Sequence, residues 1–101
     1  EIKVGSEFKI PADIVIKSLG FDPENIPKLF NSKELAVSKW GTIKIDLTSM
    51  QTNLDGVFAA GDIVRGASLV VWAIRDGRDA ATQIEKYLEL KADKNKSVEA
   101  A

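Results

Sequence analysis

The spacing of apolar residues changes near residue 68 and divides the chain into two regions. Before this point, short apolar runs alternate with Gly, Pro, Asn and Asp; after it, apolar or small residues recur every three or four positions. Short runs between turn residues are typical of strands, whereas the longer spacing marks one face of an α-helix. We therefore predict an α/β fold in which short strands precede a long C-terminal helix over residues 68–90.

Four short runs predict the strands of this fold. Residues 13–19 are β-branched and apolar, as expected of a buried strand, and residues 57–60 form a short central strand. Residues 35–37 and 42–47 flank a Trp-Gly pair and predict a β-hairpin. Between these runs, residues 25–30 predict a short helical turn.

The predicted long helix carries small side chains at Ala73, Gly77, Ala80 and Ala81. They form a narrow face that can pack closely against a sheet or another helix. Residues 91–101 are polar, and we expect them to be a disordered tail. The predicted organisation is one folded unit over residues 1–90, followed by that tail.

Composition excludes several classes of function. The chain has 101 residues, a formal net charge of -1, and neither cysteine nor histidine. The near-neutral charge argues against nucleic acid as a partner, and the missing cysteines exclude disulfides and cysteine-ligated metal sites within this chain. Its longest apolar run, residues 69–74, is far shorter than the ~20 residues that cross a bilayer. We expect a cytoplasmic protein with no membrane partner, no metal site and no catalytic residue of its own.

The turn after residues 57–60 carries the main chemical signal. There Gly61 and Asp62 end a predicted strand and open a helical segment. In α/β folds, ligands bind beyond the carboxyl ends of strands; Gly lets the backbone approach a ligand, and Asp accepts hydrogen bonds from sugar hydroxyls. Asp62 is equally consistent with a helix N-cap and Gly61 with a tight turn, so spacing alone leaves both interpretations open.

Ser68, Leu69 and Val70 are candidates through their backbone, because they open the predicted long helix. N–H groups in a first helical turn have no intrahelical acceptor, so they can donate to a ligand or to water. Arg65 can bind a phosphate through its guanidinium group or be a solvated loop charge, and we favour the solvated charge. Trp72 is expected to be a packing residue.

Four longer motifs match a known family. They are residues 11–23 (PADIVIKSLGFDP), 37–43 (VSKWGTI), 52–62 (TNLDGVFAAGD) and 63–81 (IVRGASLVVWAIRDGRDAA). The third motif resembles the second FAD-binding motif of flavoproteins with two dinucleotide-binding domains, such as the pyridine nucleotide disulfide oxidoreductases. Together the four motifs resemble the small (beta) subunit family of NADPH-dependent glutamate synthase and the homologous domain of dihydropyrimidine dehydrogenase. The resemblance covers about residues 7–88.

This resemblance implies that the chain is the C-terminal part of a Rossmann-like FAD-binding domain. It implies that Asp62 binds the ribityl chain of FAD and that Gly61 allows its close approach. It also implies that the amides of Leu69 and Val70 face the pyrimidine side of the flavin ring. The backbone amide of Ser68 is the third candidate donor to the cofactor. The Gly-x-Gly-x-x-Gly fingerprint is absent, so the chain has no pyrophosphate cradle of its own.

The resemblance also implies the parent protein's chemistry and partners. NADPH would reduce FAD, and electrons would pass through iron–sulfur clusters to a second flavin in the large (alpha) subunit. The NADPH site and the clusters would lie outside this chain, whose direct partner would be the remainder of the flavoprotein subunit. We expect the isolated chain to be inactive. The alternative is a structural or interaction module that keeps the fold, binds no flavin and self-associates as a homo-oligomer.

Overall fold

The computed structural model describes residues 1–99, in which three helices are the main regular structure. Helix α1 spans Ile26–Leu29, α2 spans Asp62–Arg65 and α3 spans Val70–Glu99. Two isolated antiparallel bridges complete the regular structure of residues 1–99, and they pair Val37 with Ile43 and Gln51 with Phe58. The predicted long C-terminal helix and the short helical turn are therefore confirmed, whereas almost none of the predicted strand structure is present.

The structure contradicts the predicted buried strand over residues 13–19. This run is irregular and exposed, and the side chain of Ile16 retains 83% of its accessible surface. A strand needs a neighbour that accepts its backbone hydrogen bonds, and the described part of the chain places none beside this run. The central strand predicted over residues 57–60 is likewise reduced to the single bridge at Phe58.

The predicted hairpin is confirmed at its centre. Beside the bridge between Val37 and Ile43, the Ser38 amide donates to the Thr42 carbonyl at 2.7 Å, and the Lys44 amide donates to the Ala36 carbonyl at 3.1 Å. Gly41 closes the turn with a φ of 87°, a conformation that glycine adopts without steric cost. Past Lys44 this pairing does not continue along residues 45–47, so the first hairpin is shorter than predicted.

A second hairpin forms around the bridge between Gln51 and Phe58. The Thr52 amide donates to the Val57 carbonyl at 2.8 Å, and the Val57 amide donates to the Leu54 carbonyl at 3.1 Å. The Thr52 hydroxyl reinforces this turn by donating to the Val57 carbonyl at 2.9 Å. The same hydroxyl accepts a hydrogen bond from the Leu54 amide. Because the Thr52 side chain is buried and bonds to residues at both ends of the turn, it fixes the conformation of the turn.

The two hairpins and α2 form a small body, residues 32–66. The side chain of Asn53 joins the two hairpins. Its Oδ1 accepts a hydrogen bond from the Ala36 N–H at 2.7 Å, and its Nδ2 donates to the Glu34 carbonyl at 2.6 Å. The Ile43 amide donates to the Ile63 carbonyl at 2.8 Å and ties the first hairpin to α2. Ile43 is buried here, and so is Leu35.

Helix α3 packs on the body along one stripe of its surface. The stripe contains Asp76, Ala80 and Tyr87, which recur at the spacing of one helical face. The Tyr87 hydroxyl donates to Asp55 at 3.0 Å, and its ring meets the Phe58 ring edge-on at a centroid distance of 5.6 Å.

Two sequence predictions about α3 can be compared with this packing. Of the four small side chains predicted to form a close-packing face, only Ala80 is buried, and a Cβ at Gly77 would meet open space. The helix also continues past the predicted end at Leu90 and reaches Glu99. The predicted tail is therefore helical over residues 91–99, and residues 100–101 lie outside the described residues. The division at residue 90 stays a prediction.

The molecule is elongated and leaves much apolar surface exposed. Its extents are 78 × 29 × 26 Å and its radius of gyration is 20.8 Å, against about 13 Å for a compact domain of this size. Residues 1–21 are exposed throughout. Across residues 1–99, no helix combines the length and the apolar character needed to cross a bilayer.

Candidate functional site

Gly61 forms the turn on which the predicted site depends. Its φ of 81° and ψ of -153° lie in a region that is essentially restricted to glycine. A Cβ built at Gly61 would meet no atom within 4 Å. The glycine is therefore required by the backbone conformation, and the space beside it is open. Both the tight turn and the room for a ligand agree with the sequence interpretation.

Asp62 presents its carboxylate to solvent at the first position of α2. The N-cap of this helix is Gly61, which has no side chain to cap it, so the structure contradicts the alternative that Asp62 is the N-cap. The exposed Asp62 lines a cleft of about 210 Å³ together with Phe21, Pro23 and Gly66. Its oxygens are thus accessible to a donor from outside the chain.

The other three candidates lie where α3 begins. Val70 is the first helical residue, and Ser68 and Leu69 precede the helix rather than belonging to it. The Leu69 carbonyl accepts from the amides of Trp72 at 3.0 Å and Ala73 at 3.2 Å. Within residues 1–99, the amides of Ser68, Leu69 and Val70 donate to no protein acceptor. Leu69 and Val70 thus supply unsatisfied donors of the helix start, and the Ser68 amide lies just before them.

An ion pair between Arg65 and Asp76 links these two groups of candidates. The Arg65 Nε donates to Asp76 Oδ2, and its Nη2 donates to Oδ1 at 2.7 Å. Such a two-pronged contact fixes both distance and orientation. The Arg65 guanidinium also lies over the Trp72 ring, 4.9 Å from its centroid. Arg65 is therefore ion-paired rather than the free loop charge that we favoured, although its side chain stays 43% exposed. Trp72 contacts this guanidinium but keeps 39% of its accessible surface, so its predicted packing role is only partly present.

The pair shifts the pKa of both partners toward their charged forms. The hydrogen bonds from Arg65 are the largest cause that lowers the pKa of Asp76, and the Gly61 amide adds a smaller contribution in the same direction. Burial of the carboxyl acts in the opposite direction but does not dominate. The same contact raises the pKa of Arg65. Both groups are thus charged at neutral pH.

Sequence reasoning missed Asp76, although one signal pointed to it. Asp76 shares the helical stripe of Ala80 and Tyr87, so a charge stands on the packed face of α3. A carboxylate on a packed face needs a cationic partner, and Arg65 is the nearest basic residue before α3 begins. Spacing could not show that the chain between them folds back to bring them together.

An apolar groove on the body contains none of the five candidates. It has a volume of about 630 Å³, is lined by Leu35, Val57 and Ile63 of the body, and is bounded on one side by Phe30 at the end of α1. Its chemistry is that of a packing surface, because few polar groups face it. Among residues 1–99, no group of three or more acidic residues is arranged to hold a metal ion.

The family comparison extends over almost the whole chain. The model of the pyridine nucleotide-disulphide oxidoreductase family matches residues 1–98. Such a match covers both hairpins, the Gly61–Asp62 turn and α3.

Similar individual proteins carry names that are more specific than the name of the family. The chain is 63% identical over 89 residues to the glutamate synthase (NADPH) small chain of Azospirillum brasilense, covering 88% of this chain and 18% of that protein. It is 42% identical over 85 residues to the glutamate synthase (NADPH) small chain of Bacillus subtilis, covering 83% of this chain and 17% of the relative.

A relative that is not named as a glutamate synthase has a similar sequence identity to this chain. The NADP(+)-dependent formate dehydrogenase subunit beta of Moorella thermoacetica is 42% identical over 84 residues, which are 83% of this chain and 12% of that protein. The chain thus spans less than a fifth of the length of each of these three relatives. With its resemblance to the glutamate synthase small chain extending over most of its residues, this chain belongs to the pyridine nucleotide-disulphide oxidoreductase family.

Proposed function

We propose that this chain is the C-terminal, flavin-contacting segment of an NADPH- and FAD-dependent oxidoreductase of the glutamate synthase small-chain type. The observation that carries this proposal is the 63% identity to the Azospirillum small chain over 89 residues. Identity at this level, spread over most of the chain, supports a common ligand as well as a common fold. The parent protein would pass electrons from NADPH through FAD to an iron–sulfur and FMN partner for glutamate synthesis.

The chain's own residues fit one end of a flavin. The Asp62 carboxylate is exposed and free to accept a hydrogen bond from a ribityl hydroxyl. The open space beside Gly61 leaves room for that chain of hydroxyls. The unsatisfied amides of Ser68, Leu69 and Val70 would donate to the carbonyl edge of the ring.

These amides suit a group that gains negative charge. The N-terminus of a helix carries a partial positive charge, and donors fixed in advance stabilise developing charge without reorganising. When bound, FAD supplies the acceptance and release of hydride equivalents. The chain's part is to bind and orient it, which agrees with the absence of a catalytic residue among our candidates.

The partners follow from the same proposal. The remainder of the flavoprotein subunit would supply the pyrophosphate cradle and the NADPH site, and would pack on the apolar surfaces of this segment. The large (alpha) subunit would receive the electrons, with the iron–sulfur clusters between the two flavins. The complex would be cytoplasmic, and neither nucleic acid nor a membrane would be a partner.

A second candidate function is favoured by the exposed apolar surface. The chain could be a structural or interaction module that binds no flavin and covers its apolar groove by self-association. The groove of about 630 Å³ on the body and the exposed side chains of Val70 and Ile74 on α3 support this candidate. Large uncovered apolar patches mark association sites in soluble proteins.

Flavin binding separates the two candidates. The full-length polypeptide that contains this sequence should purify with about one FAD per chain, seen in its visible absorption spectrum. Asp62→Asn should raise the dissociation constant of FAD about tenfold, because a hydrogen bond to a charged group contributes about 1.5–3 kcal/mol. Asp93→Asn, at an exposed position far along α3, is the matched control and should leave the constant unchanged. A colourless protein that takes up no added FAD would overturn flavin binding and leave the interaction module.

A further inference from the structure

We propose that Arg65 and Asp76 are positioning residues that hold the Gly61–Asp62 turn and the first turn of α3 in a fixed mutual geometry for the flavin. This inference rests on the proposed function and assigns a role to two residues outside the five predicted contacts. Two observations support this inference: the bidentate ion pair between Arg65 and Asp76, and the positions of these two residues in the chain.

The pair encloses the segment that carries the candidate donors. Arg65 is the last residue of α2, which begins at Asp62, and Asp76 lies in the second turn of α3. The intervening residues 66–69 belong to no helix, and Gly66 has a φ of 85° and a ψ of 175°. Without a cross-link, this loop would be free to change the angle between α2 and α3.

Two contacts make this cross-link directional. The guanidinium and the carboxylate share two parallel hydrogen bonds, a geometry that lysine cannot reproduce. The Trp72 ring stacks against the Arg65 guanidinium. The Arg75 guanidinium also lies over this ring, 5.5 Å from its centroid. The Asp76 carboxylate thus attaches the second turn of α3 to the end of α2.

Burial makes the two partners depend on each other. Asp76 keeps only 6% of its accessible surface, and a buried carboxylate that loses its cation is strongly unfavourable. The docking of α3 farther along is provided by Ala80 and by Tyr87 with Asp55. The pair is therefore placed to control the start of α3, and other contacts attach the rest of the helix.

The test compares this pair with a second acid–base pair on the same helix. Arg75 and Asp79 are 3.7 Å apart, and both side chains are mostly exposed. Asp76→Asn and Arg65→Lys are made in the full-length polypeptide, with Asp79→Asn as the matched control. Three quantities are measured: the dissociation constant of FAD, the visible spectrum of the bound flavin, and the melting temperature of the flavin-free protein.

We expect Asp76→Asn and Arg65→Lys to raise the dissociation constant of FAD about tenfold, which corresponds to losing about one hydrogen bond from the start of α3. The flavin absorption bands should also shift, because the amides at the start of α3 no longer hold their positions. Asp79→Asn should change neither. The conservative Arg65→Lys keeps the charge, so it tests the geometry even where Asp76→Asn folds poorly.

The outcomes separate this inference from the proposed function. Wild-type protein that fails to bind FAD would overturn the proposed function, and this inference with it. Wild-type protein that binds FAD, together with variants that match Asp79→Asn in affinity and spectrum, would overturn only the positioning role. Variants that melt at lower temperature yet bind FAD with unchanged affinity and spectrum would show a purely structural pair, which also overturns it.

Discussion

Asp76 places a carboxylate against the body of the molecule, where the Arg65 guanidinium compensates its loss of water. The contact lowers the pKa of Asp76 below the ordinary value of an aspartate. A group whose pKa is lower in the folded state contributes stability above its unfolded pKa and loses it as the pH falls through the folded value. The contribution of the pair is therefore complete at neutral pH and is lost in acid.

This linkage predicts a pH-dependent difference between wild type and Asp76→Asn. Wild type should have the higher free energy of unfolding at pH 7, and the difference should shrink as the pH falls below about 4. Urea unfolding followed by circular dichroism at several pH values measures it. Asp46 also has a lowered pKa, caused by the backbone amides of Ser49 and Thr48, but it is present in both proteins and cancels. A difference that stayed constant down to pH 2 would contradict the ion pair.

Single residues were predictable where their role is local. Gly61 could be identified because a sharp turn after an apolar run needs a glycine, and its φ of 81° agrees. The exposed Asp62 and the free amides before α3 followed from the same local pattern. Asp76 could not be assigned, because its partner lies in α2 and their contact depends on how residues 66–69 turn. Sequence spacing carries no information on that turn.

At the scale of elements, helix α3 was predictable and the strands were not. A helix satisfies its own backbone hydrogen bonds, so its periodicity over residues 68–90 sufficed. A strand needs a neighbour, and residues 13–19 have none among the described residues. The helix extended to Glu99 because its polar end contains good helix formers such as lysine and alanine.

The contact between the second hairpin and α3 depends on Gly56. Its φ of 75° disfavours any side chain, and a Cβ there would lie 3.2 Å from the Tyr87 Oη. Gly56→Ala should therefore cost about 1–2 kcal/mol in backbone strain, plus a further loss from displacing Tyr87 and its bond to Asp55. Urea unfolding followed by helical circular dichroism measures the total.

A double-mutant cycle separates the two parts of this cost. Tyr87→Phe removes the hydroxyl that the new Cβ would meet and leaves the backbone of Gly56 unchanged. We expect Gly56→Ala to be less damaging in the Tyr87→Phe background, with a coupling of about 0.5 kcal/mol or more. Additive costs in the two backgrounds would mean that the strain is confined to the turn and that the packing on Tyr87 is unaffected.

At the scale of the whole molecule, the exposed apolar surface and the family membership have a common explanation. The matched region spans 18% of the length of the Azospirillum relative, so most of that protein has no counterpart in this chain. Under the proposed function, the rest of such a protein would cover the apolar groove and the exposed run over residues 13–19.

The same surface predicts the behaviour of the isolated chain. The exposed side of α3 carries Val70, Ile74 and Leu88, and Ile74 keeps 60% of its accessible surface. We expect the 101-residue chain to self-associate, so that its apparent mass exceeds 11.0 kDa and rises with concentration in gel filtration or sedimentation. Ile74→Gln should weaken this association, because it removes apolar area from the shared surface. Glu85→Gln, at an exposed polar position of the same helix, should leave it unchanged. A monomer at every concentration would show that this apolar surface is too small or too discontinuous to hold two copies together.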